Sequence, residues 1–431
     1  MLNNPRTLNG WALFDWANSA FALVITTAIF PPYFEEMVDA EFRVLGLDFT
    51  NSSWFAYLIT FSYLVIALLS PLLSGIADVG GRRKWFLQGF TTMGGLGCIS
   101  LFFFHGMGTM WLGSLGFVVG LIGFAGGLVF YNSFLPVIAT EDRYDRLSAR
   151  GFAMGYIGSV LLLLLNLAMV QAPSWFGLPE EGTLRIRLAF LTVGVWWLVF
   201  AYISLSRLPD DVRTKGTSLA DMAAGGWREL RGVWTQMIDY PQAKRFLIAF
   251  FCYSAGVQTV IFLASIFAKK ELGFETAELI VVVLILQIVA IAGAYLAAKL
   301  SEWRGNKFAL YFELIVWTSI CLLAYFVSGK TQFYFIAGAV GLVMGGVQSL
   351  SRSTYAKVIP QSESEEAART DTTSWFSFYD VLEKVAIVLG TFIFGFLDAL
   401  TGSMRLSILI LSVFFLLGMA FLSRLRVTQV D

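Results

Sequence analysis

Pro71-Leu-Leu-Ser-Gly75-Ile-Ala-Asp78-Val-Gly-Gly81-Arg82-Arg83-Lys84 closes one long apolar run and opens the next. Residues 53–77 before it contain no charged side chain, and residues 85–105 after it contain none except His105. A run of about 20 apolar residues is what a helix needs to cross the hydrocarbon core of a bilayer. The seven residues from Asp78 to Lys84 hold one acid, two glycines and three bases. That is the composition of a tight turn held at a membrane surface.

The same unit recurs along the chain. A window of about 19 residues finds apolar runs near 11–33, 53–77, 85–105, 110–139, 152–172 and 186–206. A second set lies near 245–268, 277–299, 307–328, 332–358, 374–398 and 404–424. Six plus six predicts an all-α polytopic membrane protein of 12 transmembrane helices in two six-helix bundles. The bundles occupy residues 1–206 and 245–431, and residues 207–244 form the linker.

Composition agrees. Of 431 residues, 57% are hydrophobic and 14% charged, where a soluble chain would be about 25% charged. Twelve spans take about 240 residues, leaving about 15 for each terminus or loop. No large soluble catalytic domain fits.

Thirty basic against thirty acidic residues give zero net charge, so nothing favours nucleic acid as a partner. Cys98, Cys252 and Cys321 are scattered through apolar stretches, which is neither a disulfide framework nor a metal cluster. His105 is the only histidine, so a zinc site and a histidine-based triad are both unsupported, and no cofactor is expected. A phosphate-binding loop of the form Gly-x4-Gly-Lys-Ser/Thr does not occur, which excludes ATP-driven transport by this chain. The first apolar segment carries Asp15 and Asn18 and runs to Pro31-Pro32 without a small-x-small cleavage site, so it reads as a retained span.

Placing the N-terminus inside puts 21 of the 30 Lys and Arg residues on the cytoplasmic face and seven outside, with Arg352 and Lys384 within spans. This satisfies the positive-inside rule with both termini cytoplasmic. Short termini and compact loops point to the plasma (inner) membrane. The halves also echo each other: Gly126-Gly127-Leu-Val-Phe-Tyr-Asn-Ser in span four, Gly345-Gly346-Val-Gln-Ser-Leu-Ser-Arg in span ten. Weak internal similarity of this kind marks repeat-built transporters. Within the linker, Leu219, Met222, Trp227, Leu230, Trp234 and Met237 recur at mostly three- and four-residue spacing. They predict a short amphipathic helix on the inner membrane surface; the alternative is an ordinary linker.

A charge at mid-bilayer costs about 2.5–3.5 kcal/mol on insertion scales, so ionisable groups inside spans are functional candidates. They are Asp15, Glu313, Arg352, Asp380, Glu383 and Lys384. On span one, Asp15, Asn18, Ser19 and Thr26 share a helical face. On span eleven an Asp380–Lys384 pair is allowed, as is a cross-helix pair from Glu383 to Arg352. Four embedded acids against two bases leave two negative charges in excess, which low dielectric relieves by binding protons. The structural alternatives are ion pairs that only set helix packing and, for Glu313, a hydrated inner vestibule.

The Pro71–Lys84 stretch resembles the signature of the major facilitator superfamily, Gly-x-Leu-Ala-Asp-Arg-x-Gly-Arg-Arg. Asp78, Gly81, Arg82 and Arg83 match; Ser74 and Val79 depart. The resemblance implies gating by a loop that latches the halves together, its Asp meeting the positive N-terminal end of span eleven. Here that end is Asp371-Thr372-Thr373-Ser374.

A narrower resemblance is carried by Trp11-Ala-Leu-Phe-Asp15-Trp16-Ala17-Asn18-Ser19-Ala20-Phe21, Gly155-Tyr156-Ile-Gly158-Ser159, Trp196-Trp197, Gln348-Ser-Leu-Ser-Arg352-Ser353 and Phe376-Ser-Phe-Tyr379 to Lys384. These look like the autophagy-related vacuolar amino-acid effluxer family. Glu383 stands where that pattern usually has a small residue. Gly155, Gly158 and Ser159 serve equally well for close helix approach, and Trp196 and Trp197 for packing.

The expected function is secondary transport of a small organic solute, with amino acids the solute that the family resemblance implies. Asp15, Asn18 and Arg352 would line the path, and Asp380, Glu383 and Lys384 would form a charge relay. Protons are the expected coupling ion, membrane lipid the surroundings, and a monomer the working unit. A drug or lipid exporter is the alternative within the class; a non-transporting sensor or scaffold is the alternative outside it.

Overall fold

A computed structural model describes residues 2–44, 46–210, 219–360 and 372–425. Asp371, the first residue of the run read as the start of span eleven, lies outside them.

The first helix, α1, runs Pro5–Met37. Asn4 caps it by accepting from the Arg6 N–H, and proline sits at the first helical position, where no donor is needed. Between Phe21 and Ile29 the hydrogen bonding is of π type, with the Thr27 hydroxyl donating to the Ala22 carbonyl at 3.0 Å. Each π turn encloses an extra residue. Beyond it, an antiparallel hairpin pairs β1, Glu41–Val44, with β2, Leu47–Thr50, Phe42 opposite Phe49.

Helix α2, Asn51–Gly80, starts from a Thr50–Ser53 capping box and ends at Gly81, whose φ of 55° is the left-handed conformation suited to glycine. There follow α3 Arg83–Ser100, α4 Met110–Ser133, α5 Tyr144–Gln171 and α6 Leu184–Leu205. In the linker, α7 is Leu219–Gln236. Its Trp227 and Trp234 are exposed while Val233 is fully buried, and Trp234 lies 6.0 Å from the Phe378 ring.

The second set is α8 Pro241–Leu272, α9 Thr276–Arg304, α10 Asn306–Phe326, α11 Lys330–Val358, α12 Thr372–Thr401 and α13 Met404–Leu422. Among the described residues, eleven helices are long and apolar enough to cross a membrane. Helix α12, of 30 residues, carries Asp380, Glu383, Lys384 and Asp398. Large apolar side chains such as Leu68, Phe326 and Phe335 point outward, more than two-thirds exposed, as in a protein whose solvent is lipid. It is an all-α polytopic membrane protein.

Small residues let helices close up where the site is built. Helix α9 meets α11 backbone to backbone: a Cβ on Gly293 would strike the Leu342 carbonyl, and one on Gly345 the Ala290 carbonyl. Likewise Gly155 lies against Ser19 and Gly158 against the Trp16 carbonyl, so these glycines bring α5 onto α1. Trp196 stacks on Trp16 (5.4 Å) and Trp197 packs on Phe21 (5.2 Å).

Candidate solute cavity and its closures

A cavity of about 330 Å³ opens between the first and last sets of helices. Asp15, Asn18, Arg352, Asp380, Glu383 and Lys384 all line it. Ser159 lines it too, and four tyrosines contribute to the wall: Tyr63, Tyr156, Tyr253 and Tyr379.

At one wall stands Arg352. Its Nη1 and Nη2 donate to the same Asp15 oxygen, Oδ2, at 3.2 and 3.3 Å. Its Nε donates to the Ser148 hydroxyl and Nη2 to the Ser148 carbonyl, both at 2.9 Å, and Nη1 donates to Asn132 at 3.3 Å. The guanidinium lies 4.3 Å from the Phe152 ring centre and 4.6 Å from that of Trp11. The Tyr131 hydroxyl adds a third donor to Asp15 Oδ2 at 2.8 Å, and Trp11 Nε1 ties back to the Tyr131 carbonyl. This is a buried ion pair in which three donors converge on one carboxylate oxygen and the guanidinium directs its other protons to Ser148 and Asn132, the kind of hydrogen bonding such a pair needs away from water.

The facing wall belongs to α12. Lys384 Nζ donates to Asp380 Oδ1 and to Glu383 Oε2, each at 2.9 Å. Gln258 Nε2 donates to Glu383 Oε1 at 3.3 Å. Among the described residues Asp380 Oδ2 has no hydrogen-bond partner although it is buried. The side chain of Glu383 is 23% exposed, against 6% for Lys384.

Two expectations need correcting. Arg352 pairs with Asp15 rather than with Glu383, because α1 and α5 close around its guanidinium while Lys384 holds Glu383 on its own helix. On α1 the cavity face is Asp15, Asn18, Ser19, Ala22, Leu23 and Thr27, not Thr26. The wider π turns rotate the helix backward by about one residue between Ser19 and the later threonines.

Hydrogen bonds tie the α2–α3 turn to the start of α12 at the end of the molecule where Asn3 meets the α4–α5 connection. Asp78 Oδ2 accepts from the Ser374 backbone N–H at 2.7 Å. Arg83, 3.6 Å from Asp78, donates to Thr373 Oγ1 (2.8 Å), Thr372 Oγ1 (2.7 Å) and the Ser133 carbonyl (3.3 Å). Gly81 makes the left-handed turn between acid and base, and the Arg82 N–H caps α2 on the Ala77 carbonyl.

A second closure escaped the reading of the sequence. Asp145 accepts from Lys357 (2.7 Å), Ser301 (2.9 Å) and Asn306 (2.7 Å), while Asn306 accepts from Lys357 (2.8 Å) and donates to Thr354 (3.0 Å). Nearby, Arg146 forks onto both Glu302 oxygens. The signal was present: Glu302-Trp-Arg-Gly305 repeats the acid-x-x-Gly spacing of Asp78-Val-Gly-Gly81, and both glycines have positive φ. Tyr156 to Gln348 (2.7 Å) and Tyr253 to Ser351 (2.7 Å) likewise need the folded arrangement to be seen.

Residues 3–430 match the family model described as "Vacuole effluxer Atg22 like". The chain belongs to the Atg22-like family. An uncharacterized MFS-type transporter of Bacillus subtilis (strain 168), YxiO, is 29% identical over 415 residues, covering 96% of this chain and 94% of that protein. Autophagy-related protein 22 of Saccharomyces cerevisiae (strain ATCC 204508 / S288c) is 25% identical over 457 residues, covering 91% and 82%. Among solved structures, the major facilitator superfamily transporter FucP in its outward conformation superposes with a TM-score of 0.72 at 14% identity, over 99% of both chains. That likeness shows the fold. This Atg22-like protein is a transporter with the major facilitator fold.

Proposed function

We propose that this Atg22-like protein carries amino acids across the plasma (inner) membrane, coupled to protons, by alternating access of two six-helix bundles. Residues 1–206 and 245–431 are the bundles, residues 207–244 are the linker, both termini are cytoplasmic, and the monomer is the working unit. The observation that carries the reading is the opposed pair of charged walls. A guanidinium with a carboxylate faces a lysine with two carboxylates across about 330 Å³. A zwitterion has an anionic and a cationic end to exchange for these partners.

The charges also support proton coupling. Asp15 and Arg352 cancel, whereas Asp380 and Glu383 outnumber Lys384 by one. A net negative wall attracts either the ammonium of a solute or a proton, and competition between the two is one way to couple their movements. Asp380 Oδ2, buried and without a hydrogen-bond partner among the described residues, is an acceptor such a partner would meet once the wall opens to it. With both closures at the cytoplasmic end, the cavity belongs to the outward-facing side of the cycle, and opening requires the Asp78 and Asp145 bonds to break.

The test is flux of a labelled amino-acid mixture into proteoliposomes, with and without a pH gradient. Gradient-driven accumulation that Glu383→Gln abolishes supports the reading. No flux from folded protein under any gradient sinks the amino-acid assignment. Drug or lipid export then leads, a reading favoured by Phe124, Phe152, Phe250 and Phe262 in the same lining.

A further inference from the structure

Of the four embedded acids singled out in the sequence, Glu313 alone does not line the cavity. It sits seven residues into α10, about 10 Å along the helix from Asn306, and is 5% exposed. Its Oε2 is buried with no hydrogen-bond partner among the described residues. Its carboxyl lies against α11 at Gly346, close to where α9 also approaches: a Cβ added to Gly346 would overlap Oε1 and stand 2.9 Å from the Ala297 Cβ.

Among the described residues, no charge on the neighbouring helices compensates it. Helices α9, α11 and α13 pack against α10. On α9, Glu278 pairs with Lys330 of α11, Glu302 pairs with Arg146, and Lys299 and Arg304 are exposed. On α11, Arg352 pairs with Asp15 and Lys357 with Asp145. On α13, Arg405 pairs with Glu271. On α10 itself, Lys307 donates to the carbonyls of Ser423 and Leu425 and Tyr311 to that of Met419. Of the remaining tyrosines, Tyr355 donates to the Trp375 carbonyl, Tyr295 and Tyr325 are exposed and Tyr334 lies 5.4 Å from the Phe274 ring.

An isolated ionised carboxylate buried in apolar surroundings is far costlier than a neutral one. The carboxyl also bears on a helix that matters: α11 carries Met344, Val347, Gln348, Ser351 and Arg352 into the cavity. The seam that seats α11 on α9 is backbone against backbone at Gly293 and Gly345, so a displacement of α11 is not absorbed by side chains there.

We propose that Glu313 is a proton-binding site separate from the solute cavity, and that its occupancy sets where α11 sits. When the proton leaves, the charge draws water or a cation to the α9–α10–α11 junction and α11 must move, which displaces Gln348 and Arg352. This deepens the proton-coupled reading above and rests on it, but its test needs no solute.

Infrared difference spectra of the purified protein in lipid nanodiscs between about pH 5 and about pH 9 read the carboxyl directly. The expected result is a protonated-carboxyl band, shifted in heavy water, that Glu313→Gln removes and Glu313→Asp displaces. In a background lacking Cys98, Cys252 and Cys321, labelling of a cysteine placed at Gln348 should change several-fold over the same pH range. In Glu313→Gln it should become independent of pH. A wild-type band that survives Glu313→Gln, or labelling whose pH dependence is absent or unchanged by that substitution, overturns the proposal. Amino-acid flux measured on the same preparations separates this outcome from failure of the solute assignment.

Discussion

Asp78 and the backbone N–H of Ser374, 296 residues apart in sequence, meet at 2.7 Å in a buried hydrogen bond between α2 and the first turn of α12. A carboxylate at a helix N-terminus gains from the unpaired N–H groups and from the helix dipole, together worth about 1–2 kcal/mol when partly buried. Because the bond ties α2 to α12 at one end of the cavity, it is expected to stabilise one state of the cycle rather than the fold as a whole. Asp78→Asn should therefore shift the population away from that state by up to about tenfold and lower turnover, while lowering the unfolding temperature little. Flux and thermal unfolding measured on the same preparation check this.

Arg352 and Asp15 carry a different cost. Removing one member of a buried, hydrogen-bonded pair leaves the other charge uncompensated, at about 3–5 kcal/mol. Arg352→Gln should destabilise strongly, and the double variant Asp15→Asn, Arg352→Gln should recover much of that loss. Transport should stay absent in both. Unfolding in detergent combined with flux separates the structural from the solute-handling part.

Lys357 and Asp145 should behave as a second closure independent of the first. Lys357→Met and Asp78→Asn are then expected to add in their effects on access to the cavity from that end. Lys357→Met and Asp145→Asn should instead couple by about 0.5–3 kcal/mol, measured by a double-mutant cycle on labelling of a cysteine at Gln348.

Glu383 and Gln258 meet at 3.3 Å on the wall that the solute would touch. Glu383→Gln keeps the shape and removes the excess negative charge. It should abolish accumulation driven by a pH gradient but spare exchange of labelled for unlabelled solute. Counterflow assays distinguish the two; equal loss of both would mean that Glu383 binds solute without handling protons.

How much of this was legible in the sequence depended on whether the signal lay along a helix or between helices. The apolar runs and the Asp78–Lys84 turn are local, and so is the four-residue spacing that joins Asp380 to Lys384. All were readable. The partner of Arg352 was not, because it depends on which faces of α1, α5 and α11 point at one another, and counting charges gives no angle. Thr26 was placed on the wrong face because nothing in Phe21–Ile29 announces a change from α to π hydrogen bonding. The Asp145 cluster draws on four segments, and its acid-x-x-Gly echo is too degenerate to notice without Gly305 in view.

That π stretch also makes α1 two mechanical pieces. Its inner end is anchored by Asp15 and by the Trp11–Tyr131 stack, whereas the segment beyond Ile29 packs among Phe55, Phe104 and Phe117 near the hairpin. Passing the surplus residue along the backbone would swivel the outer piece against the inner one, one hydrogen bond at a time and without unwinding. Such a swivel would exchange Thr27 for Thr26 at the cavity wall, like a key turning while its bow stays clamped.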